Sequence, residues 1–196
     1  MKRIISAVVS LFLIIIPVSI VSADGNTNDI GEIIESIDSL EDWNEYLDEN
    51  MLERDHTYDD CDVQEFQIMY DDTEQIIITD VVYIRSINTQ STVGTATHEV
   101  RSATGSIIFT LRIEGSFSRD PGTSCTCTYV TGSFSHPITS TWRSTPSYTK
   151  GRVSATKAYA KMYGTASTII GANTINYNFY LYCTSTGTLS SSYSQT

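Results

Sequence analysis

The sequence predicts a mainly β protein: an antiparallel β-sandwich, or a barrel-like variant of one, preceded by an acidic amphipathic helical segment and a cleaved signal peptide. Three observations carry this expectation. After Gln64, apolar residues alternate with polar ones at a period of two in several stretches, the pattern of strands with one buried face. Ser and Thr supply 39 of the last 106 residues, as on exposed strand faces and turns. Nothing in the body alternates strand with helix patterns, which argues against a parallel α/β architecture. The expected organisation is a signal peptide at 1–23, an acidic helical arm at 24–62 and a Ser/Thr-rich antiparallel β domain at 63–196.

The N-terminus begins with Lys2 and Arg3, followed by an apolar run from Ile4 to Ile20 broken only by Ser6, Ser10, Pro17 and Ser19. Val21-Ser22-Ala23 then places small residues where a signal peptidase needs them, so cleavage is expected after Ala23. An uncleaved anchor is the plainer alternative, but the run is short for a span of about 20 residues and Pro17 interrupts it. No Cys follows it to take a lipid, and Ser190–Thr196 is polar, so a secreted product with no membrane attachment is expected.

The formal net charge of −11 averages two unlike parts. Residues 24–80 hold 20 acids and one base, Arg54, whereas residues 81–196 hold three acids (Glu99, Glu114, Asp120) and nine bases. This balance argues against a simple nucleic-acid binder, which needs a basic excess to neutralise phosphates. In the arm, Ile30, Ile33, Ile34, Ile37 and Leu40 recur at three- and four-residue steps, predicting one face of a helix. Ser39 and Asp42 have capping-box spacing for a second helix carrying Trp43, Tyr46, Leu47 and Met51. The acids opposite are read as a solvated face, with a removable pro-segment or a docking element for a basic partner as the functional alternatives.

The strands follow in order. Phe66, Ile68 and Tyr70 alternate, and Gln75–Ile84 is apolar on both faces, as in a strand covered on each side. In Ser106–Ser118, Ile107, Phe109, Leu111, Ile113 and Phe117 share one face, and Arg119–Thr123 reads as a hairpin turn carrying Pro121 and Gly122. Cys125–Phe134 returns. Gly151–Tyr163 reads as a strand with a bulge, because Val153 and Ala155 fall on the parity opposite to Ala158, Ala160 and Met162. Ile175, Tyr177, Phe179, Leu181 and Cys183 form the cleanest core stripe.

Four cysteines in an exported chain point to disulfides before metals or catalysis. Cys125 and Cys127 lie two apart on one strand, so one of them is expected to meet Cys183 across the core. The expected pairing is Cys127–Cys183, leaving Cys61–Cys125 to pin the arm to the body, although spacing alone leaves all three connectivities open. A zinc site from His56, Cys61, Cys125 and Cys127 lacks the usual C-x2–4-C pair.

Phe109-Thr110-Leu111-Arg112-Ile113-Glu114-Gly115-Ser116-Phe117, the Gly122-Thr123 turn and Cys127-Thr128 resemble a pattern in a family of small secreted proteins of Gram-positive bacteria. The similarity continues through Lys150–Ala155, Leu181-Tyr182-Cys183 and Gly187-Thr188-Leu189-Ser190, about half of the chain. The family has no assigned activity. The resemblance implies a Ser/Thr-rich β fold and export, and that Cys127 and Cys183 are the family's usual cysteines.

Sequence signatures of catalysis are missing: there is no G-x-S-x-G elbow, no H-E-x-x-H and no phosphate-binding G-x-x-x-x-G-K-[ST] loop. A secreted hydrolase would need two carboxylates about 5 to 10 Å apart, for which the body offers Glu99, Glu114 and Asp120. Asp59, Asp60 and Asp62 lack the loop frame of a calcium site, and no cofactor is implied. Two binding surfaces are expected candidates. Tyr180 and Tyr182, with Tyr159, Tyr163 and Trp142, would form an aromatic strip for stacking on sugar rings, or simple cross-strand pairs on a wet face. Arg101, Arg112, Arg143, Arg152, Lys157 and Lys161 would attract anionic wall polymers, or face the protein's own acidic arm. The functional expectation is a secreted, non-enzymatic binding or structural module at or outside the bacterial surface. Its expected partner is a cell-wall polymer, a glycan or a host protein, with neither nucleic acid nor membrane.

Overall fold

Alternation at a period of two has a direct outcome in the centre of the chain. Phe109, Leu111, Ile113 and Phe117 all turn into one buried layer, while Arg112, Glu114 and Ser116 between them point the other way. The computed structural model describes residues 32–37, 40–49, 62–71, 76–171 and 173–196. Its elements are β1 (Glu32–Ile37), α1 (Leu40–Glu49), β2 (Asp62–Asp71), β3 (Ile76–Ile87), β4 (Ser91–Ser102), β5 (Ile107–Asp120), β6 (Ser124–Ser135), β7 (Trp142–Ser144), β8 (Ser147–Ser154), β9 (Lys157–Thr168), β10 (Thr174–Thr184) and β11 (Leu189–Gln195).

The described fold is mainly antiparallel β, in two sheets. β1 to β6 lie side by side in chain order. The second sheet runs β11-β10-β9, and β7 and β8 pair with successive stretches of β9 along its other edge. Val82, Ala96, Leu111, Ile113 and Phe117 of the first sheet share one core with Ala160, Met162, Phe179 and Leu181 of the second. Each large apolar side chain buried there contributes roughly 1.5–3 kcal/mol relative to exposure. Close approach of the layers depends on Gly94, where a Cβ would lie 2.0 Å from Leu189 Cδ1 of β11.

β3 is buried on both faces, as its apolar run predicts: Ile78 and Val82 face the core, while Val81 and Tyr83 are equally buried on the other side. Polar groups are buried as well. Asp80 and His98 are cross-strand partners, with Asp80 Oδ1 2.5 Å from His98 Nδ1. The His98 ring stacks on Tyr193 at 3.8 Å between centroids. Glu99 Oε2 accepts hydrogen bonds from Arg101 Nη2 at 2.5 Å and from Thr79 Oγ1 at 3.1 Å. The free edge of β6 is closed by side chains of β8. Tyr148 Oη donates to Gly132 O at 2.7 Å, Lys150 Nζ to Thr128 O and Arg152 Nη2 to Thr126 Oγ1, so two β6 carbonyls and the Thr126 hydroxyl are occupied.

Two expectations are corrected. The first part of the arm is a strand: β1 pairs antiparallel with β2 from Glu32↔Tyr70 to Ile37↔Phe66. Ile33, Ile34 and Ile37 suit helical spacing, but their β-branched side chains favour extended backbone and β2 offers an edge on which to pair. The second helix does form, as α1, over Trp43, Tyr46 and Leu47. The other correction concerns Gly151–Tyr163, which is a hairpin of β8 and β9 reversing at Ala155-Thr156. The reversal explains the parity switch, and an irregularity between Arg152 and Ser154 leaves Val153 exposed. The Asp120–Thr123 turn is as expected, with Gly122 at φ 76° and Thr123 N donating to Asp120 O at 2.9 Å. The signal region, Met51, His56, Asp59, Asp60 and Cys61 lie outside the described residues.

Candidate functional site: a tyrosine and lysine face

Along β9, Ala158, Ala160 and Met162 turn inward, so Lys157, Tyr159, Lys161 and Tyr163 turn out. On β10, Tyr177, Phe179, Leu181 and Cys183 turn inward, leaving Asn178, Tyr180 and Tyr182 on the same outer face. The strand register sets Tyr159 opposite Tyr182, Lys161 opposite Tyr180 and Tyr163 opposite Asn178. β11 adds Ser190 beside Tyr182 and Ser192 beside Tyr180.

The rings and ammonium groups interlock. Tyr180 and Tyr182 stack at 5.5 Å with planes 2° apart, and Tyr159 meets Tyr180 edge-on at 5.7 Å. Lys157 Nζ lies 4.4 Å from the Tyr182 centroid. Lys161 Nζ lies 4.9 Å from that of Tyr180 and 5.3 Å from that of Tyr163. Gly151 of β8 makes room at the edge, since a Cβ there would come within 2.6 Å of Tyr159 Oη. Burial among its neighbours raises the Tyr182 phenol above its usual range, and Tyr180 and Tyr159 add to the effect. No Asp or Glu occurs after Asp120, whereas Arg143, Lys150, Arg152, Lys157 and Lys161 all do. The outer face of β9 and β10 therefore interleaves the Lys157 and Lys161 ammonium groups with flat rings and carries no Asp or Glu.

No family model, no curated protein and no solved structure matches this chain.

Tyr159, Tyr163, Tyr180 and Tyr182 come together as the aromatic strip expects, but Trp142 does not join them. It is half-buried and packs against Phe109 of the core at 5.8 Å. The six candidate bases do not form one patch. Arg101 is buried on Glu99, Arg112 lies 5.7 Å over the Tyr83 ring, and Arg143 donates to Ser140 O and Trp142 O at 2.8 and 2.6 Å. Only Lys157 and Lys161 belong to the tyrosine face. The pairing of β9 with β10, which sets both lysines over the rings, is invisible in either strand alone. Ile138, Ile169 and Ile170 are also exposed, at loop tips joined by Ile169 N donating to Thr141 O at 2.9 Å, but they lack the mixed aromatic and cationic character of this face.

The carboxylates offered for hydrolysis are not brought together. Glu99 is buried on Arg101, and Glu114 is paired with Arg85 at 2.5 Å. Glu114 sits opposite Thr95, four residues along β4 from Glu99, which at about 3.4 Å per residue separates the two by about 14 Å. That exceeds the 5 to 10 Å or so of a glycosidase pair. Asp120 is exposed at its turn. Among the described residues no group of three or more His, Cys, Asp or Glu is arranged to hold a metal, and no helix is long and apolar enough to cross a membrane.

Cys125, Cys127 and Cys183 are buried thiols. The Cys183 thiol lies within hydrogen-bonding reach of Cys125 and donates to Thr184 O at 3.4 Å, while Cys127 Sγ donates to Tyr129 O at 3.2 Å. Burial pushes the Cys127 thiol up to about 11, against a partial pull downward from Lys150. Burial, and then the neighbouring Cys125, pushes Cys183 up to about 12.

Proposed function

We propose that this chain is a secreted extracellular β-sandwich module of a Gram-positive bacterium, exported by the 1–23 signal, that binds an anionic glycan of the cell wall rather than catalysing a reaction. The observation that carries the reading is the outer face of β9 and β10, where Tyr159, Tyr180, Tyr182 and Tyr163 interleave with Lys157 and Lys161 and no Asp or Glu is present. Tyrosine faces suit the apolar faces of sugar rings, while the ammonium groups suit phosphate or carboxylate substituents. The serines of β11 and Asn178 add hydrogen-bonding groups alongside.

In the free protein the lysines rest on the rings, each contact stabilising by roughly 0.5–1 kcal/mol at an exposed site. A ligand anion offers the ammonium a stronger partner, so a lysine leaving its ring both binds the anion and uncovers the ring for stacking. Incubation of the purified chain with a phosphate-bearing wall polymer, an uncharged glucan and single-stranded DNA tests this. Retention on the wall polymer, weakened by salt and absent on the glucan, supports the reading. Failure to bind the polymer overturns it, and preference for DNA would reassign the face to nucleic acid, which also uses aromatic platforms and bases.

A further inference from the structure

We propose that Cys125 and Cys183 form a disulfide that joins the two sheets, and that Cys127 takes no part in it. The two residues hang into the same buried corner from opposite sheets, Cys125 at the start of β6 and Cys183 near the end of β10. Backbone hydrogen bonds through one turn tie their strands together there. Cys125 N donates to Ala155 O at 2.9 Å and Ser185 N donates to Thr156 O at 2.8 Å, so the β8–β9 turn clasps both strands. Arg119, the cross-strand partner of Cys125, completes the corner. Its guanidinium donates to Ser185 O at 3.3 Å and to Asn88 O. Gly187, at φ 97°, leaves room for it, since a Cβ there would lie 3.0 Å from Arg119 Nη1. The two thiols are thus neighbours in one buried cluster, inside a corner fixed by backbone bonds on both sides. Cys127 sits opposite Phe117 in the β5–β6 register, and its S–H donates to Tyr129 O at 3.2 Å, as that of Cys183 does to Thr184 O at 3.4 Å.

The oxidant is a disulfide donor, either a thiol–disulfide oxidoreductase or a small-molecule disulfide. One cysteine thiolate attacks a donor sulfur, forming a mixed disulfide and expelling one donor thiolate. The second cysteine thiolate then attacks the protein-side sulfur and expels the other. Two S–H bonds are lost and one S–S bond forms, the two protons pass to the two donor thiolates, and the donor gains two electrons. Burial holds both sulfurs away from solvent and holds Cys183 protonated near neutral pH.

The test refolds two variants of the full chain in a glutathione redox buffer: Cys61→Ala/Cys127→Ala, which leaves Cys125 and Cys183, and Cys61→Ala/Cys125→Ala, which leaves Cys127 and Cys183. Non-reducing tryptic mass spectrometry should link peptide 120–143 to peptide 162–196 in the first and not in the second. Linkage in the second alone, or free thiols in the first with a native circular-dichroism spectrum, would overturn the proposal. Should either variant fail to fold, fragmentation of the linked peptide from the unsubstituted chain decides between Cys125 and Cys127: a bond at Cys127 would overturn the assignment and a bond at Cys125 would support it.

Discussion

Lys161 sits directly opposite Tyr180 in the β9–β10 register and holds its ammonium 4.9 Å from the centre of that ring. The contact is a product of pairing, since the two residues are 19 apart in the chain and share a face only because β10 runs antiparallel to β9 at this register. A double-mutant cycle with Lys161→Ala and Tyr180→Ala is expected to give a coupling of roughly 0.5–1 kcal/mol in urea unfolding. A coupling of zero would mean that the lysine does not rest on the ring in solution.

Asp80 and His98 are a buried pair, whereas Arg85 and Glu114 form a partly exposed one. Asp80→Ala strands the His98 imidazole in the core and should cost about 1–3 kcal/mol. Glu114→Ala should cost less than about 1 kcal/mol, because water and salt screen the exposed Arg85. Equal losses in denaturant titration would contradict the different environments assigned to the two pairs.

Gly94 faces Leu189 across the layers with no room for a methyl group. Gly94→Ala should therefore destabilise by about 1–3 kcal/mol through overpacking. Pairing it with Leu189→Ala should give a smaller loss than the sum of the two single substitutions. Strict additivity would show that the clash is not with Leu189.

The reduced protein should lose stability in alkali. Cys127 and Cys183 are neutral in the fold, with thiols raised from 9.0 to about 11 and about 12. Because the folded values lie above the unfolded ones, the stabilisation is complete below pH 9 and falls as pH rises toward 11 and 12. Urea midpoints measured across this window should decline in the reduced chain. The oxidised chain should decline less, because Cys183 no longer titrates. Closing a loop of roughly 60 residues should also raise its stability by about 4 kcal/mol below pH 9.

Much of the two-sheet body was legible because strands with one buried face write their geometry directly into residue parity, as β5 and β10 do. The arm was harder. Ile33, Ile34 and Ile37 satisfy a helical stripe and a strand equally, and only the presence of β2 as a pairing edge decides between them. The β8–β9 hairpin hid for a related reason, since a reversal at Ala155-Thr156 carries no Gly or Pro and looks like a bulge in parity. The tyrosines of the candidate site are legible in strand parity, whereas the place of its lysines over the rings depends on the β9–β10 register. Trp142 has the chemistry of the strip, but its ring packs against Phe109. The cysteine contact turned on two residues of one strand that parity cannot separate. Backbone bonds from the β8–β9 turn bring Cys125 to the corner of Cys183.

The proposed ligand of the tyrosine and lysine face is an anionic wall glycan. Calorimetric titration of one phosphate-bearing wall polymer into the intact chain, Lys157→Ala/Lys161→Ala and Tyr180→Ala/Tyr182→Ala tests it most directly. The prediction is saturable binding to the intact chain that weakens as salt rises. The lysine variant should lose at least about tenfold in affinity along with most of the salt dependence, and the tyrosine variant should lose at least about tenfold with the salt dependence retained. Equal affinity for all three proteins, with their folds intact, would contradict it.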